Sequence, residues 1–469
     1  MSTYALISGG KKHPTIDTFP VINPSTMTTV GESPKATVDD LNLIIADAKR
    51  AFPTWSTTPY ASRQHYINQI ADVLEAHTEE LASLITQEQG KPIGASLGSM
   101  FEMGGAVAWT RYTATLEMPV KVLQDDDNAH IELHHRPIGV VASITPWNWP
   151  LMIAIWHIVP AILAGNTVVC KPSPYTPLST LRMIELMNDI LPKGVVNSVA
   201  GGDELGAAIS SHPDINKIVF TGSTATGKKV MQSSANTLKH LTLELGGNDA
   251  GIVLADCDPN KIAAGLFWGA FINNGQTCAA MKRLYVHRSI YNEVCDALTT
   301  FSKSVKVGDG FENGTELGPV QNQMQFNVVN QLVQSSIQQG GKVLLGGPVH
   351  SENTLFFPIT LIAVEDNDNA LVQNEQFGPA LPIIPFDTID EAIQMANDSS
   401  AGLGGSVWSN DKQAAAKIAA QMECGTVWLN KHGAIQPNAP FGGVKSSGLG
   451  VEFGEEGLLA NTTIQCIFS

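Results

Sequence analysis

Cys278 ends a polar, turn-prone segment that begins at Asn273, so its thiol is predicted to lie where the chain opens toward a cleft. As a thiolate, a cysteine is a strong nucleophile for a carbonyl carbon. A free cysteine is more often a small buried hydrophobe, and the residue type alone leaves both interpretations open. Cys278 is therefore the first candidate for a catalytic side chain.

Glu244 is the second candidate, because it ends the apolar segment that begins at Leu241 and precedes Gly246 and Gly247. A carboxylate buried at that place must be paired with another group or have a raised pKa. A raised pKa suits a general base, and open α/β sheets bind their ligands at the carboxyl ends of parallel strands. The alternative is a glutamate at a strand end that faces solvent.

Two further polar residues follow apolar segments. Asn148 lies between Trp147 and Trp149, where its amide could donate a hydrogen bond to an oxyanion or could only stabilise a turn. Lys171 is the first charged residue after Pro137–Cys170, a range of 34 residues that contains no Asp, Glu, Lys or Arg. Its ammonium group could bind the ribose or phosphate of a cofactor, or it could start a surface loop.

The uncharged range is long enough for a transmembrane helix, but Pro146, Pro150 and Pro160 interrupt it. A buried strand, a turn, a helix and a second strand explain it better. Strand-like segments begin near Ile138, Thr167, Val195, Lys217 and Leu241. The helical segments between them cover residues 151–163, 178–190, 204–211 and 226–235. This alternation predicts βαβ crossovers and a parallel sheet.

The regions on either side of this unit follow other patterns. Residues 37–90 predict helices, with a capping box at Thr37–Asp40 and a stop signal at Gly90. Residues 117–136 are polar and predict a hairpin that extends from the body of the protein. A second region of alternating strands and helices begins near Gly247.

The glycine-rich turns carry no standard dinucleotide fingerprint, because no G-x-G-x-x-G sequence occurs. Gly201–Gly206 and Gly222–Gly227 both space their glycines as G-x4-G. Two lysines follow the second turn, where a P-loop needs Lys-Ser or Lys-Thr. Such a turn can still present free N–H groups to an anion at the start of a helix.

The chain has 469 residues, with 28 Lys and Arg against 44 Asp and Glu, which gives a formal net charge of −16. This charge argues against nucleic acids and anionic membranes as partners, but it permits a small anionic ligand at one site. None of the 6 cysteines forms a C-x-x-C pair, so neither a disulfide framework nor a metal site is predicted. The cysteine usage and the absence of a secretory signal pattern at the N-terminus predict a cytoplasmic protein.

The four candidates, in the order Asn148, Lys171, Glu244 and Cys278, make the chain resemble the NAD(P)-dependent aldehyde dehydrogenase superfamily. Further segments extend this resemblance over nearly the whole chain. They are Val21–Thr26, Phe220–Thr224, Leu243–Gly247, Gly275–Cys278, Glu375–Pro379, Asn397–Asp398, Gly402–Gly404, Pro440–Gly443 and Ser447–Gly448.

The resemblance implies that Cys278 attacks an aldehyde, and that the Asn148 amide and the Cys278 backbone N–H stabilise the oxyanion. Hydride transfer to the nicotinamide would leave a thioester, and Glu244 would be the general base for the water that hydrolyses it. Glu375 would hold the nicotinamide ribose, with Phe377 packed nearby. The complete set of implied cofactor residues is Ile144, Thr145, Pro146, Trp147, Lys171, Ser173, Gly206, Phe220, Gly222, Ser223, Leu245, Gly246, Glu375 and Phe377.

The resemblance also implies an α/β fold of the aldehyde dehydrogenase type, in three parts. A Rossmann-type cofactor domain would comprise residues 1–118 and 138–246, and an α/β catalytic domain residues 247–445. A small oligomerisation element would comprise residues 119–137 and 459–469, and it would join subunits into a homodimer or a homotetramer.

One departure from the family pattern concerns the choice between NAD and NADP. Many NAD-preferring members have a glutamate three residues after the lysine that corresponds to Lys171, and here that position is Pro174. A proline side chain accepts no hydrogen bond from ribose hydroxyls and does not repel a 2′-phosphate. NADP is therefore predicted to be accepted, with NAD also possible.

The implied substrate pocket is mostly apolar and aromatic, although at least two of its members are expected to serve only in core packing. It consists of Trp149, Trp156, Phe271, Thr277, Trp428, His432 and Ile435. The segment Asn430–Asn438, which matches the loop that sets substrate choice in the family, offers no arginine for a substrate carboxylate, which disfavours succinate semialdehyde. An apolar or aromatic aldehyde is preferred, and a trimethylammonium aldehyde held by tryptophans is the rival.

Two other classes of function fit some of these residues. A cysteine hydrolase, such as a thioesterase or esterase, would need a histidine partner for Cys278, and no Cys/His hydrolase signature occurs. A catalytically silent homologue would not need Cys278, Glu244 and Asn148 together. Glu244 also favours water over coenzyme A as the acceptor of the acyl group.

Overall fold

The computed structural model describes residues 4–350 and 354–469. The first part of the chain forms short hairpins and four helices. In chain order its elements are β1 (Leu6–Ser8), β2 (Lys11–His13), β3 (Asp17–Ile22), β4 (Thr29–Lys35), α1 (Val38–Ser56), α2 (Tyr60–Ala76), α3 (Thr78–Gln89), α4 (Ser99–Thr113), β5 (Lys121–Asp126) and β6 (Ala129–Pro137). Thr37 and Asp40 form the predicted capping box of α1, and Gly90 ends α3 in the left-handed conformation. Both sequence signals are confirmed.

The next part alternates strands and helices, as the periodicity predicts. Its elements are β7 (Val140–Ile144), α5 (Pro150–Leu163), β8 (Thr167–Lys171), α6 (Leu178–Asn188), β9 (Val196–Ser198), α7 (Asp203–Ser211), β10 (Lys217–Thr221), α8 (Thr224–Ser234) and β11 (His240–Glu244). The strands form a parallel sheet in the order β11-β10-β7-β8-β9, and Gly448–Leu449 adds an antiparallel strand beside β11.

Every residue of β7, β8 and β10 is buried, so the uncharged range of the sequence is a covered βαβ unit. No helix in the described ranges is long and apolar enough to cross a membrane. The carboxyl ends of the parallel strands lie at one edge of the sheet, and the residues after β7, β10 and β11 meet there. This edge positions the site.

The start of α8 differs from the sequence prediction by two residues. α8 begins at Thr224 instead of Thr226, because the Ser223 hydroxyl accepts a hydrogen bond from the backbone N–H of Thr226 and caps the helix. A serine at this place satisfies one of the free N–H groups of the first turn. The helix start therefore falls directly after Gly222 and Ser223.

The second half of the chain builds another α/β layer. Its elements are β12 (Asp249–Val253), α9 (Pro259–Phe271), β13 (Met281–His287), α10 (Tyr291–Ser302), α11 (Gln323–Gln338), β14 (Lys342–Leu345), β15 (Thr360–Ala363), α12 (Ala370–Gln373), β16 (Ala380–Phe386), α13 (Ile389–Asn397), β17 (Ala401–Gly402), β18 (Gly404–Trp408), α14 (Lys412–Ala419) and β19 (Thr426–Leu429). Seven strands form one sheet in the order β14-β15-β16-β13-β12-β18-β19. All neighbours are parallel except β14 and β15.

The chain ends with β20 (Val444–Lys445), β21 (Gly448–Leu449), α15 (Gly454–Leu459) and β22 (Thr462–Phe468). The predicted hairpin is formed by β5 and β6, and β22 pairs with β6 along its whole length. The result is a separate three-stranded antiparallel sheet in the order β22-β6-β5. The two large sheets with their helices and this small sheet match the α/β fold that the resemblance implies.

Candidate active site

A cleft lies between the two large sheets, at the carboxyl ends of β7, β10 and β11. Ten of the residues expected from the sequence line it together. They are Pro146, Trp147, Asn148, Gly222, Ser223, Leu245, Gly246, Cys278, Glu375 and Phe377. The candidate nucleophile and the candidate oxyanion donor therefore share one cleft with most of the expected cofactor residues.

Cys278 follows a turn in which Asn273, Asn274 and Gly275 all have positive φ angles, at 50°, 58° and 74°. Two consecutive asparagines in this conformation are uncommon, and asparagine tolerates it better than most residues. Lys282 from β13 holds the turn by donating a hydrogen bond to the carbonyl of Gly275. The turn brings the thiol to the cleft, as the polar sequence before Cys278 predicts.

The surroundings of Cys278 favour the protonated thiol. Burial raises the pKa of Cys278 well above its usual range, and the carboxylates of Glu244, Glu375 and Asp249 raise it further. The backbone N–H of Ala279 acts in the opposite direction. Attack by sulfur therefore requires a base or a positive charge near the thiol.

Asn148 is locked to the nucleophile turn by reciprocal hydrogen bonds. Its side-chain Nδ2 donates to the carbonyl of Gln276 at 2.9 Å, and its own carbonyl accepts from Nδ2 of Asn273 at 2.9 Å. An amide nitrogen has two N–H groups, so one remains for a ligand in the cleft. The arrangement suits an oxyanion donor because the N–H is held beside Cys278 before any charge develops.

Glu244 ends β11 and is only 3 % exposed. Neither of its carboxylate oxygens has a hydrogen-bond partner among the described residues. Burial raises the pKa of Glu244 well above its usual range, and the nearby carboxylate of Glu452 raises it further. Glu452 in turn contacts His157, with 3.1 Å between Oε1 and Nε2. The structure therefore contradicts the alternative of a solvent-facing glutamate.

The cofactor side of the cleft combines aromatic rings with backbone groups. Phe377 has a φ of 45°, and its ring meets Trp147 edge to face at 5.3 Å. Glu375 accepts a hydrogen bond from the backbone N–H of Gly247 at 3.1 Å, and burial raises its pKa to about 7 although Lys282 lowers it. A Cβ atom at Gly246 would collide with the Glu375 carboxylate.

These features fit a bound dinucleotide. The helix α8 starts directly behind Gly222 and Ser223, so its first N–H groups can hold a pyrophosphate. The Glu375 carboxylate can accept hydrogen bonds from ribose hydroxyls. The rings of Phe377 and Trp147 provide an apolar wall for a nicotinamide ring.

The other expected cofactor residues lie behind or beside the cleft. Ile144, Thr145 and Phe220 belong to the buried strand ends, and Gly206 lies within α7. Ser173 uses its hydroxyl to accept a hydrogen bond from the N–H of Tyr175. These residues shape the sheet edge without lining the cleft themselves.

Lys171 ends β8 and is buried, and burial lowers the pKa of its ammonium group to about 8. The carboxylate of Asp203, at the start of α7, raises the pKa of Lys171 and so lies close enough to interact. The ammonium group donates no hydrogen bond to any residue that the structure describes. A buried cation without a fixed acceptor is available to a ligand.

The substrate side is an aromatic cluster that reaches Cys278. Trp428 packs there with Phe441 and Phe453, and Ile435 and Trp156 lie against them. Trp149 belongs to the same side, because its indole N–H donates to the Thr277 hydroxyl at 3.0 Å. The structure thus brings five of the seven expected pocket residues together near the nucleophile.

Two expected pocket residues lie elsewhere, and these expectations need correction. Phe271 stacks on Phe267 at 4.8 Å inside the core around β13, because it follows the inner face of α9. The His432 ring is fully buried, where its Nδ1 lies 2.9 Å from the Ser406 hydroxyl and its Nε2 3.5 Å from an oxygen of Asp249. Phe271 stabilises the core of the second sheet, and His432 packs against Trp428 with 5.1 Å between the ring centroids and no exposed side-chain surface.

Sequence reasoning missed several residues that line the site. Met324, Gln325 and Val328 reach the cofactor side from α11, and Thr221 lies at the end of β10. Thr221 directly precedes the predicted turn at Gly222, so the motif itself could have included it. The sequence of α11 does not indicate that its residues line a cleft, because a helical pattern predicts only which face is buried and not what that face packs against.

Trp109 and Phe453 were also missed on the substrate side. The ring of Trp109 lies 5.6 Å from Trp156 and 5.5 Å from Phe453, and the rings of Trp156 and Phe453 lie 4.8 Å apart. Phe453 has a φ of 66°, a strained conformation for a residue with a large side chain. No histidine forms a hydrogen bond with Cys278 within residues 4–350 and 354–469, which is the feature that a cysteine hydrolase would need.

Comparison with known proteins agrees with this geometry. The model of the aldehyde dehydrogenase family matches residues 11–467. Phenylacetaldehyde dehydrogenase from Pseudomonas fluorescens is 39% identical over 465 residues, which cover 96% of this chain and 92% of that protein. Peroxisomal aminoaldehyde dehydrogenase 1 from Pisum sativum is 38% identical over 460 residues, with 94% and 90% covered.

Solved structures show the same likeness in three dimensions. Betaine aldehyde dehydrogenase from Staphylococcus aureus in complex with NAD+ superposes with a TM-score of 0.96 at 33% identity, covering 100% of this chain and 95% of that one. A variant of the aldehyde dehydrogenase from Bacillus cereus gives a TM-score of 0.96 at 36% identity, with 100% and 96% covered.

Proposed function

The chain belongs to the aldehyde dehydrogenase family, and from that premise we propose that Cys278, Asn148 and Glu244 share the work of oxidising an aldehyde to its carboxylic acid. The reaction class is NAD(P)-dependent aldehyde oxidation. The single observation that carries the assignment of roles is the shared cleft of Cys278 and Asn148, with the buried and unpaired Glu244 beside it.

Cys278 forms the first bond. The thiol releases its proton to solvent, the thiolate sulfur adds to the carbonyl carbon, and the carbonyl oxygen takes the negative charge of the tetrahedral adduct. The free N–H of the Asn148 amide and the backbone N–H of Cys278 donate to that oxygen. Because Gln276 and Asn273 already fix Asn148, little reorganisation is needed when the charge develops.

Bound NAD(P)+ would accept the hydride that leaves the carbon of the adduct, so that Cys278 would carry a thioester. The chain's own contribution to this step is placement. Trp147 and Phe377 form an apolar wall, and Glu375 offers a carboxylate for ribose hydroxyls.

Glu244 acts in the second half of the reaction. Its carboxylate takes a proton from a water molecule, the hydroxide adds to the thioester carbonyl, and the carbon–sulfur bond breaks to release the acid and the thiolate. A general base works best when its pKa lies near the working pH. Burial and the neighbouring Glu452 raise the pKa of Glu244 in this direction.

The test of this division of labour is the Glu244→Gln variant in a rapid-mixing experiment. The variant retains Cys278 and Asn148, so it is expected to give a burst of reduced cofactor close to one per active site, followed by slow turnover. Equal losses in the burst rate and the steady rate would contradict a role in thioester hydrolysis. Glu423→Gln, at an exposed glutamate of the second half of the chain, is the matched control.

For the cofactor, we infer that the chain accepts NADP as well as NAD. Pro174 offers no acceptor for the ribose hydroxyls, and Lys171 offers an ammonium group to a 2′-phosphate. Asp203 beside Lys171 favours the uncharged ribose of NAD, so the two cofactors are expected to compete. Turnover with NADP at saturating aldehyde tests this inference, and its complete absence would contradict it.

For the substrate, we infer an apolar or aromatic aldehyde. The side chains near Cys278 on this side are mainly apolar and aromatic, with tryptophans, phenylalanines and Ile435 among them. Phenylacetaldehyde is expected to give a higher kcat/KM than both a trimethylammonium aldehyde and succinate semialdehyde. A preference for the trimethylammonium aldehyde would favour a cation–π box instead.

For the assembly, we infer a homodimer or a homotetramer that uses the small sheet of β5, β6 and β22. This sheet exposes apolar side chains, with Ile464 68% and Phe468 70% exposed. Such exposure on an edge strand is a liability for a lone chain and is typical of an interface. Light scattering of the purified protein tests it, and a stable monomer would contradict it.

A further inference from the structure

A buried ion pair lies directly behind the active site and has no part in the reaction described above. Lys91 follows the end of α3, and Glu102 lies in the first turn of α4. Their side chains are 1% and 0% exposed, and 2.6 Å separate Nζ of Lys91 from Oε2 of Glu102.

The ammonium group of Lys91 also contacts the segment that carries the oxyanion donor. Nζ donates to the backbone carbonyl of Asn148 at 2.9 Å and lies 3.4 Å from the ring centroid of Trp149. The same carbonyl accepts from Asn273 in the nucleophile turn. Lys91 and the turn before Cys278 therefore both donate a hydrogen bond to the backbone carbonyl of Asn148.

Glu102 holds the other side of the same segment. Its Oε1 accepts from the backbone N–H groups of Leu151 and Met152 at 3.0 and 3.1 Å, in the first turn of α5. α5 needs this help, because its N-cap is Trp149 and no side-chain cap is present. A carboxylate at a helix N-terminus is stabilised by free N–H groups and by the helix dipole.

Stability alone does not explain this arrangement. Burying two charges carries a large desolvation cost, and apolar side chains of similar volume often serve a core equally well. Burial indeed lowers the pKa of the Lys91 ammonium group to about 8, while Glu102 raises it. The pair fixes an orientation, since three hydrogen bonds join its two side chains to the backbone on both sides of Trp149.

We propose that Lys91 and Glu102 are positioning residues that fix the backbone from Asn148 to Met152 and so aim the side-chain N–H of Asn148 at the oxygen of the Cys278 adduct. The proposal rests on the role of Asn148 given under the proposed function. Lys91 acts on the carbonyl of Asn148, and Glu102 acts on the start of α5. Neither side chain lines the cleft or touches the reacting atoms.

A double-mutant cycle tests this proposal because it separates positioning from general support. The variants are Lys91→Met, Asn148→Ala and the double variant, and the readout is the burst rate of reduced cofactor. A misplaced catalytic group can cost on the order of 10²-fold in rate, so Lys91→Met is expected to slow the burst by about 10-fold to 10²-fold. The dissociation constant of the cofactor is expected to change less than about 2-fold, because the substitution removes no interaction that is equally strong in the ground state and the transition state.

The cycle predicts non-additive losses. If Lys91 acts through Asn148, the double variant is no slower than Asn148→Ala, because the donor to be aimed is already gone. Multiplied losses in the double variant would overturn the proposal, and so would a burst at the wild-type rate in Lys91→Met. A wild-type burst rate in Asn148→Ala would contradict the oxyanion role of Asn148 itself. Multiplied losses in the double variant would instead contradict only the positioning role of Lys91, so the two outcomes are distinguishable.

Arg63 provides the matched control at the other end of α5. It is a buried cation whose Nε donates to the carbonyl of Leu163 at 2.8 Å, far from Asn148 along the helix. Arg63→Met is expected to lower the melting temperature as Lys91→Met does, but to keep the burst rate. An equal loss of burst rate in Lys91→Met and Arg63→Met would show that Lys91 only stabilises the structure.

Glu102→Gln is the second variant if Lys91→Met does not fold. Glutamine keeps a carbonyl oxygen for the N–H groups of Leu151 and Met152, but it removes the carboxylate that orients Lys91. A slowed burst that is non-additive with Asn148→Ala supports the proposal. A burst at the wild-type rate, or multiplied losses, would overturn it.

Discussion

The nucleophile side of the cleft and its ribose side are built in different ways. On the nucleophile side, Asn148 is held by Gln276, Asn273 and Lys91, so that its position is fixed from several directions. On the ribose side, the ammonium group of Lys171 donates no hydrogen bond to any described residue. The candidate oxyanion donor is therefore fixed by the protein, whereas the donor proposed to select the cofactor is left free.

The largest expected effect concerns the nucleophile. Cys278→Ala removes the sulfur proposed to form the thioester, so production of reduced cofactor should fall by on the order of 10⁴-fold or more. Cofactor binding should stay close to normal, because the ribose side is untouched. Fluorescence titration with the cofactor and a progress curve with aldehyde measure the two properties.

Cys424→Ala is the control for this change, since Cys424 lies in the second half of the chain but outside the cleft. It should retain turnover. Normal turnover in Cys278→Ala would contradict the assignment of the nucleophile.

The second effect tests the preorganised donor. Asn148→Ala should slow the burst of reduced cofactor by about 10²-fold to 10³-fold, as expected for one lost oxyanion donor. The change should appear in kcat and in kcat/KM alike, because the interaction forms only in the transition state. A loss confined to KM would show that Asn148 binds substrate without stabilising the oxyanion.

The third effect probes the free donor on the ribose side. Lys171→Ala should lower kcat/KM for NADP by roughly 10-fold, the range of one hydrogen bond to a charged group, and should lower it less for NAD. Lys229→Ala, at an exposed lysine of α8, is the control. Equal losses with both cofactors would place Lys171 at a part that NAD and NADP share.

The smallest effect is a pH dependence of cofactor preference. Burial lowers the pKa of Lys171 to about 8, so its ammonium group is charged at pH 7 and mostly neutral at pH 9. Preference for NADP over NAD should therefore fall as pH rises through 8, toward the value of Lys171→Ala. The variant itself should show no such change, and a parallel fall in the variant would assign the titration to another group.

The local part of the site could be predicted from the sequence. Asn148, Glu244 and Cys278 each lie within a few residues of a strand end or a polar turn, and parallel strands bring such ends to one edge. The alternation of strand-like and helical segments predicts the first large sheet, and α8 begins only two residues before its predicted start. Each of these features depends on residues that lie close together in the sequence.

The rest of the site depends on contacts between distant segments. Lys91 meets Asn148 across 57 positions of the chain, and nothing near Lys91 in the sequence indicates that partner. Met324 and Gln325 reach the cleft because α11 packs beside it, which no local pattern encodes. Phe271 and His432 were misplaced for the same reason, since an aromatic side chain in the right segment can turn into the core.

The proposed thioester on Cys278 can be detected by mass spectrometry of the Glu244→Gln variant. The variant is mixed with phenylacetaldehyde and NAD(P)+, quenched in acid and digested. The acyl group is expected on the peptide that contains Cys278, to persist in the variant, and to be absent without the oxidised cofactor. An unmodified Cys278 peptide after a full burst of reduced cofactor would rule out a thioester at this cysteine.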